Sequence, residues 1–287
     1  MPVVFVLIWS TGFIVSRYGM PHAPPMKFLA VRYGLSVACF LIWALASRAV
    51  WPRNRAQYAH LAVVGLLIQA GYLGGVWAAV KVGMGAGLAA LLVGLQPVLT
   101  AIWISSRGAR VTPYQWAGLA LGLAGLALVV WQKLGYGEVN SLNLTFAIVA
   151  LLSITAGTLY QKCFVAPCDV RTANLVQLVA AFTVTVPLAL LETEAMRWTG
   201  ADGSVNRELA GAMAWSVLGL TLGASSLLYL LIQRGAAIAV TGLMYLVPPT
   251  TAVMAWVLFA EPITPVIVAG IALTAIGVSL VVRQARG

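Results

Sequence analysis

Charged side chains are scarce in this sequence: they make up 8% of 287 residues, with seven acids and two histidines in all. A water-soluble globule of this length needs far more polar surface than that, so a soluble fold is excluded. Three cysteines, Cys39, Cys163 and Cys168, give neither an even disulfide framework nor a close metal-binding pair, and read as packing residues. His22 and His60 sit near the ends of apolar runs without metal-ligand spacing, so no metal and no cofactor is expected. No acid falls in the middle of an apolar run, which leaves no carboxylate for a buried proton relay, although coupling through a histidine or a carboxylate nearer the surface stays open. Basic runs are missing too. The net charge of +10 and pI near 10.0 come from cations scattered singly among connections, so nucleic acid is not an expected partner.

What the chain has instead is apolar length. Hydrophobic residues are 61% of it and the mean hydropathy is +0.96. The runs are too long for the roughly 10-residue alternating strands of a membrane barrel, and only helices then satisfy the backbone in lipid. At about 20 residues per crossing plus connections, the expectation is an all-α integral membrane protein with ten transmembrane helices. The expected spans are 3–19, 26–47, 58–79, 84–105, 113–132, 142–163, 174–193, 209–232, 237–259 and 265–283. The first lacks a basic segment ahead of it and ends in Arg17-Tyr18-Gly19, so it is kept as a membrane helix rather than a cleaved leader. The longest polar connection, Glu192 to Glu208, has room for a short interfacial helix, with Trp198 as an interface anchor.

Lysine and arginine bias sets orientation. With both termini cytoplasmic, that side carries ten cations, from Arg48 through Arg286, against six on the other side, where six of the seven acids also lie. Arg32 is left over inside the second span, either snorkelling to the interface or binding a substrate carboxylate.

The chain also repeats itself. Phe259 to Val282 shares a framework with Arg107 to Val130, 152 positions earlier, and without a gap 83–130 matches 235–282 at thirteen of forty-eight positions. The pairs Gly83/Gly235, Pro97/Pro249, Pro113/Pro265, Gly118/Gly270 and Gly125/Gly277 carry the argument, because glycine and proline have backbone effects that other residues do not replace. The expected repeats are 1–135 and 136–287. Five spans per repeat force the second to enter the membrane inverted, an arrangement that concentrates in secondary transporters, with the solute site near the midplane between halves.

Candidate site residues follow from that expectation, since a carrier needs an aromatic wall and a few hydrogen-bonding groups rather than reactive ones. The third span offers Gln69, Tyr72 and Trp77, and the eighth offers Ser225, Ser226, Tyr229 and Gln233, with Trp77 and Tyr229 equivalent at the repeat offset. Gln96-Pro97 in the fourth span and Tyr245 with Pro248-Pro249 in the ninth mark paired helix breaks and hence candidate gates, or else packing kinks. Thr155 and Tyr160 in the sixth span add a hydroxyl and a phenol, equally suited to holding helices together. Gly118, Gly122 and Gly125 make a close-packing face that suits either intramolecular bracing or a dimer, which leaves the oligomeric state open.

Ala260 to Val282, AEPITPVIVAGIALTAIGVSLVV, resembles the end of EamA-type proteins of the drug/metabolite transporter superfamily, and Ile8-Trp9-Ser10-Thr11-Gly12-Phe13 resembles that family's first helix. Within the superfamily the chain looks most like the YddG-type aromatic amino acid exporters. The resemblance implies a basket of ten helices, two inverted five-helix repeats around a central cavity lined mainly by helices 1, 3, 4, 6, 8 and 9. Helices 5 and 10 would brace it and 2 and 7 would flank it. Pro113, Pro265, Gly118 and Gly270 would then be scaffold. Glu261 opens the last hairpin, but Ala109 stands at its counterpart, so capping or bracing is the expected role for Glu261. The implied function is a non-enzymatic transporter of a bacterial-type inner membrane, with lipid as its surroundings. It would export small aromatic or hydrophobic amino acids and related metabolites by alternating access, through facilitated diffusion. A neutral or weakly cationic aromatic solute fits that reading. The alternatives are a proton-coupled multidrug or metabolite exporter, a passive pore and a lipid-modifying enzyme.

Overall fold

The computed structural model describes residues 2–107, 112–135, 137–200, 202–224, 227 and 246–284. Among these the structure is helical, and the single β pairing is an isolated antiparallel bridge between Thr199 and Val205. In chain order the helices are α1 (Pro2–Gly19), α2 (Pro25–Ala46), α3 (Arg55–Lys81) and α4, which comes as two pieces, Ala86–Val93 and Gln96–Ser106. Then follow α5 (Pro113–Gly135), α6 (Ser141–Phe164), α7 (Val170–Leu191), α8 (Arg207–Trp215 continuing through Ser216–Ala224), α9 (Val247–Phe259) and α10 (Pro265–Gln284). Helices α2, α3, α6, α7 and the Trp116–Gly135 part of α5 are each long and apolar enough to cross a membrane, so the chain is a multi-pass membrane protein.

Local chemistry explains where the helices begin and break. Pro25, Pro113 and Pro265 each open a helix at a position where the missing N–H has no intrahelical partner to lose. Asn140, Asp169 and Asn206 cap α6, α7 and α8 by accepting from backbone N–H groups of the first turn. Pro97 cannot donate to the carbonyl four residues back, and α4 breaks just ahead of it, at Gly94-Leu95. Among its described residues the connection from Glu192 to Asn206 forms bends, a turn and the isolated bridge, with no interfacial helix. Its backbone is held by the Thr199 bridge and by Asn206, whose N–H donates to Trp198.

The glycine face of α5 is turned inward onto α10. A Cβ on Gly277 would lie 2.4 Å from Gly118 O, and one on Gly125 would lie 2.5 Å from Gly270 O, so only glycine allows these backbones to meet. At the offset of 152 these two contacts exchange with each other, and Thr274, the counterpart of Gly122, hydrogen-bonds Gly122 O across the crossing. Such reciprocity is the geometry of a twofold contact.

Two stretches depart from α-helical winding. Gly65–Leu73 within α3 and Ser216–Ala224 within α8 are π-helical, nine residues each, and they begin and end 151 positions apart. A π-turn is wider than an α-turn and changes which side chains share a face on either side of it.

Candidate functional site

A cavity lies between these two π-helical stretches. Its empty volume, mouth included, is about 580 Å³. Trp9, Gly12 and Phe13 of α1 form one wall, and Leu220 and Ala224 of the α8 π-stretch another. From α3 come Gln69, Tyr72 and Trp77, together with Ile68, Leu73 and Val76. The wide π-turn contributes to this grouping: Tyr72 and Trp77, five residues apart, would stand about 140° apart around a regular helix, yet both border one cavity. Trp77 is fully buried and stacks on Phe28 with ring centroids 4.4 Å apart.

Among the described residues one cation reaches the cavity, from α2. Arg32 is 5% exposed, so it does not snorkel, and its Nε and Nη2 donate to Thr221 Oγ1 at 3.2 and 3.1 Å. Thr221 in turn donates to Ser216 O at 2.9 Å, five residues back along the π-stretch. The neighbouring Tyr33 points to the other π-stretch, donating to Gln69 O at 2.6 Å. Adjacent residues of α2 thus hold both irregular helices. The family resemblance implies a flanking position for α2; Arg32 nevertheless brings it into the cavity wall.

The cavity is shut at the end of α3 that carries Lys81. Every residue from Gly74 to Val80 is buried, as are Met84 to Ala86 and Leu88 to Val93, whereas Trp9, Ile68 and Gln69 keep partial exposure. A polar latch covers that end. Lys81 Nζ pairs with Glu194 at 2.8 Å and donates to Met20 O at 3.1 Å. Glu192 accepts from Met26 N and Lys27 N at the start of α2, where the helix dipole favours an anion, and Lys27 Nζ donates to Glu194 O at 2.6 Å. Glu261 accepts from Ala86 N at 3.0 Å and so caps α4, and Tyr18 packs on Phe259 with centroids 4.8 Å apart. At the other end Asp169 accepts from Val50 N and pairs with Arg171, whose guanidinium holds the Asp169 carboxyl below its usual value.

The remaining candidates fall into three groups. Gln96 donates to Thr158 Oγ1 at 2.9 Å, Thr155 donates to Leu151 O at 2.7 Å within its own helix, and Tyr160 bonds His60 Nδ1 at 2.9 Å and packs on Phe164; all three stand apart from the cavity wall. Ser225, Tyr229 and Tyr245 lie outside the described residues. Pro248 touches the break in α4: a Cβ on Gly94 would meet Pro248 Cγ at 2.8 Å, and Pro248 and Pro249 line a second, smaller cavity there, with Pro97 in the first turn of the piece that follows the break. Trp9, Phe13 and Leu220 were not singled out from the sequence, because aromatic and branched residues in an apolar span carry no mark of which face they occupy.

A helical membrane protein with a cavity bordered by aromatic residues is the class that this geometry defines. The sequence matches the EamA-like transporter family over residues 2–131 and 142–283, and the chain belongs to that family. Among curated relatives, a "Probable amino-acid metabolite efflux pump" of Salmonella typhimurium is 26% identical over 163 residues, covering 56% of this chain and 52% of its own length. The "Uncharacterized inner membrane transporter YedA" of Escherichia coli is 24% identical over 188 residues, 66% of this chain and 60% of its own. An "Uncharacterized transporter YvbV" of Bacillus subtilis is 24% identical over 98% of this chain and 90% of its own. The matches to the first two relatives thus span just over half to three fifths of those proteins. One solved crystal structure covers 99% of this chain and 96% of its own with a TM-score of 0.67 at 17% identity, which is a likeness of fold.

Proposed function

We propose that the protein is an inner-membrane transporter that exports small aromatic or hydrophobic amino acids and related metabolites by alternating access. The observation that carries this reading is the cavity between the two π-stretches, shut at its Lys81 end, with Trp9, Phe13, Tyr72 and Trp77 available to a ring and Gln69 and Arg32 to a polar end. The relative named as an amino-acid metabolite efflux pump supports the solute class.

In this reading the chain has ten spans in two inverted five-helix repeats, 1–135 and 136–287, with both termini cytoplasmic and the Lys81 latch on the outer side. The exchange of contacts between α5 and α10 and the matched π-stretches support the duplication. Gln69, Tyr72 and Trp77 line the solute path; the breaks at Pro97 and at Pro248-Pro249, in contact through Gly94, are the gate. All seven acids lie at helix ends or in connections, which favours facilitated movement over obligatory proton exchange.

Counterflow of labelled phenylalanine in proteoliposomes tests the proposal. Saturable uptake driven by unlabelled phenylalanine inside is the expected result; flux that rises without saturation and shows no counterflow belongs to a pore and would contradict it.

A further inference from the structure

We infer that Arg32 is the anion-binding residue of the cavity and that the cavity selects aromatic or hydrophobic monocarboxylates, including those without an amino group. The inference deepens the transport reading and rests on it only in taking the cavity as a solute site.

The guanidinium of arginine stays protonated in proteins. Burying such a charge in an apolar span is costly without an opposite charge beside it. The chain has seven acids, and all are among the described residues. Each is engaged elsewhere: Glu138 with Lys133, Asp169 with Arg171, Glu194 with Lys81, Glu208 with His22, Glu192 with the start of α2, Asp202 with Ser204, and Glu261 with Ala86 N. No acidic side chain of the protein pairs with Arg32. Its partner among the described residues is a single hydroxyl oxygen, Thr221 Oγ1, for a group with five N–H donors. Because Thr221 spends its own hydrogen on Ser216 O, its lone pairs face the guanidinium and fix its direction, which makes Thr221 a positioning residue. The missing counter-charge must therefore come from outside, and a planar carboxylate matches the guanidinium fork.

The rest of the wall sharpens the class. Tyr72 and Trp77 border the cavity as aromatic side chains, while no acid borders it to receive an ammonium group. Gln69 is the one side-chain amide there among the described residues, a neutral acceptor. Recognition thus reads a carboxylate and a ring, so an anionic solute is accepted where the sequence alone suggested a neutral or weakly cationic one.

Binding of phenylalanine, phenylpyruvate, phenethylamine and phenylalaninamide to the full chain in nanodiscs tests this. Phenylpyruvate is expected to bind within about threefold of phenylalanine, while the amine and the amide bind at least about 30-fold more weakly, the loss that follows when a buried charge goes unpaired. Arg32→Gln is expected to weaken phenylpyruvate by at least about 30-fold, Arg32→Lys by less than about tenfold, and Thr221→Val by about threefold to tenfold. The empty Arg32→Gln protein should unfold no lower than the parent, because an unpaired buried charge has been removed. Phenethylamine binding as well as phenylpyruvate, no carboxylate binding at all, or unchanged carboxylate binding in Arg32→Gln each overturns the inference. The first comparison uses the unaltered chain, so a variant that misfolds leaves the question decided. Carboxylate binding without counterflow keeps the assignment of Arg32 and removes the transport reading; phenylalanine counterflow undiminished in Arg32→Gln does the reverse.

Discussion

Helices α2 and α7 are matched in length and place, yet they meet the two π-stretches in different ways. Both have 22 residues, both ends are 145 positions apart, and they pack on one another with Gly34 facing Phe182. At that offset Arg32 corresponds to Gln177. The backbone of Gln177 lies so close to the α3 π-stretch that a Cβ on Gly65 would come within 2.2 Å of Gln177 O. Arg32 meets the α8 π-stretch through a long side chain and one hydroxyl. One joint is backbone against backbone, with no room to adjust; the other is built of side chains. Two helices of equal length thus differ in placing a charge on one side only, and a polar end for the cavity follows from that asymmetry.

The tight joint is where substitution should do most damage. Gly65→Val forces Gln177 and its helix to move, and a loss of about 3 kcal/mol or more is expected, seen as a fall in folded yield and in the thermal midpoint in detergent. Thr221→Val in the side-chain joint should cost about 1–2 kcal/mol, since it removes the hydroxyl that both Arg32 and Ser216 O use. A result in which Thr221→Val costs as much as Gly65→Val would erase the distinction between the joints. Tyr33→Phe strips the hydroxyl from Gln69 O and should cost about 1 kcal/mol by the same measurement, with the α3 π-stretch destabilised more than α8 in hydrogen exchange.

Asp169→Asn, at the start of α7, should have the smallest effect, under about 1 kcal/mol, because asparagine keeps the cap on Arg171 N and loses only an ion pair at a helix end. Its carboxyl is held below the usual value of 3.8 chiefly by the Arg171 hydrogen bond, so its contribution is present above that pH and is lost as pH falls through the lower folded value. Thermal midpoints of parent and variant should therefore converge in acid and separate above it.

These contrasts also show what the sequence could tell. Gly118, Gly125, Gly270 and Gly277 were legible as scaffold because glycine at a repeated position speaks for close backbone approach, and the structure places them in one crossing. Gln69, Tyr72 and Trp77 stood out as polar or aromatic residues in one span, but their grouping depended on a π-turn that a 3.6-residue period does not reveal. Arg32 was visible as the one cation inside a span; whether it turned to the interface or the interior was decided by Thr221, 189 positions away. Tyr160 was legible as a phenol in the sixth span and no further, since its partner His60 comes from another helix. Thr155 spends its hydroxyl on its own backbone, a choice that composition does not record.

The most direct test of the cavity as the solute site uses Gly12→Cys in a chain lacking Cys39, Cys163 and Cys168. Gly12 borders the cavity, and a Cβ there makes ordinary contacts, 3.7 Å to Leu220, so the variant should fold. Gly211→Cys, where nothing lies within 4 Å, serves as the control. Phenylalanine is expected to slow maleimide labelling at Gly12→Cys by about tenfold or more and to leave the control unchanged, as occupancy of a mostly filled pocket requires. Labelling at Gly12→Cys that phenylalanine does not slow, in a protein that carries out phenylalanine counterflow, would contradict the assignment.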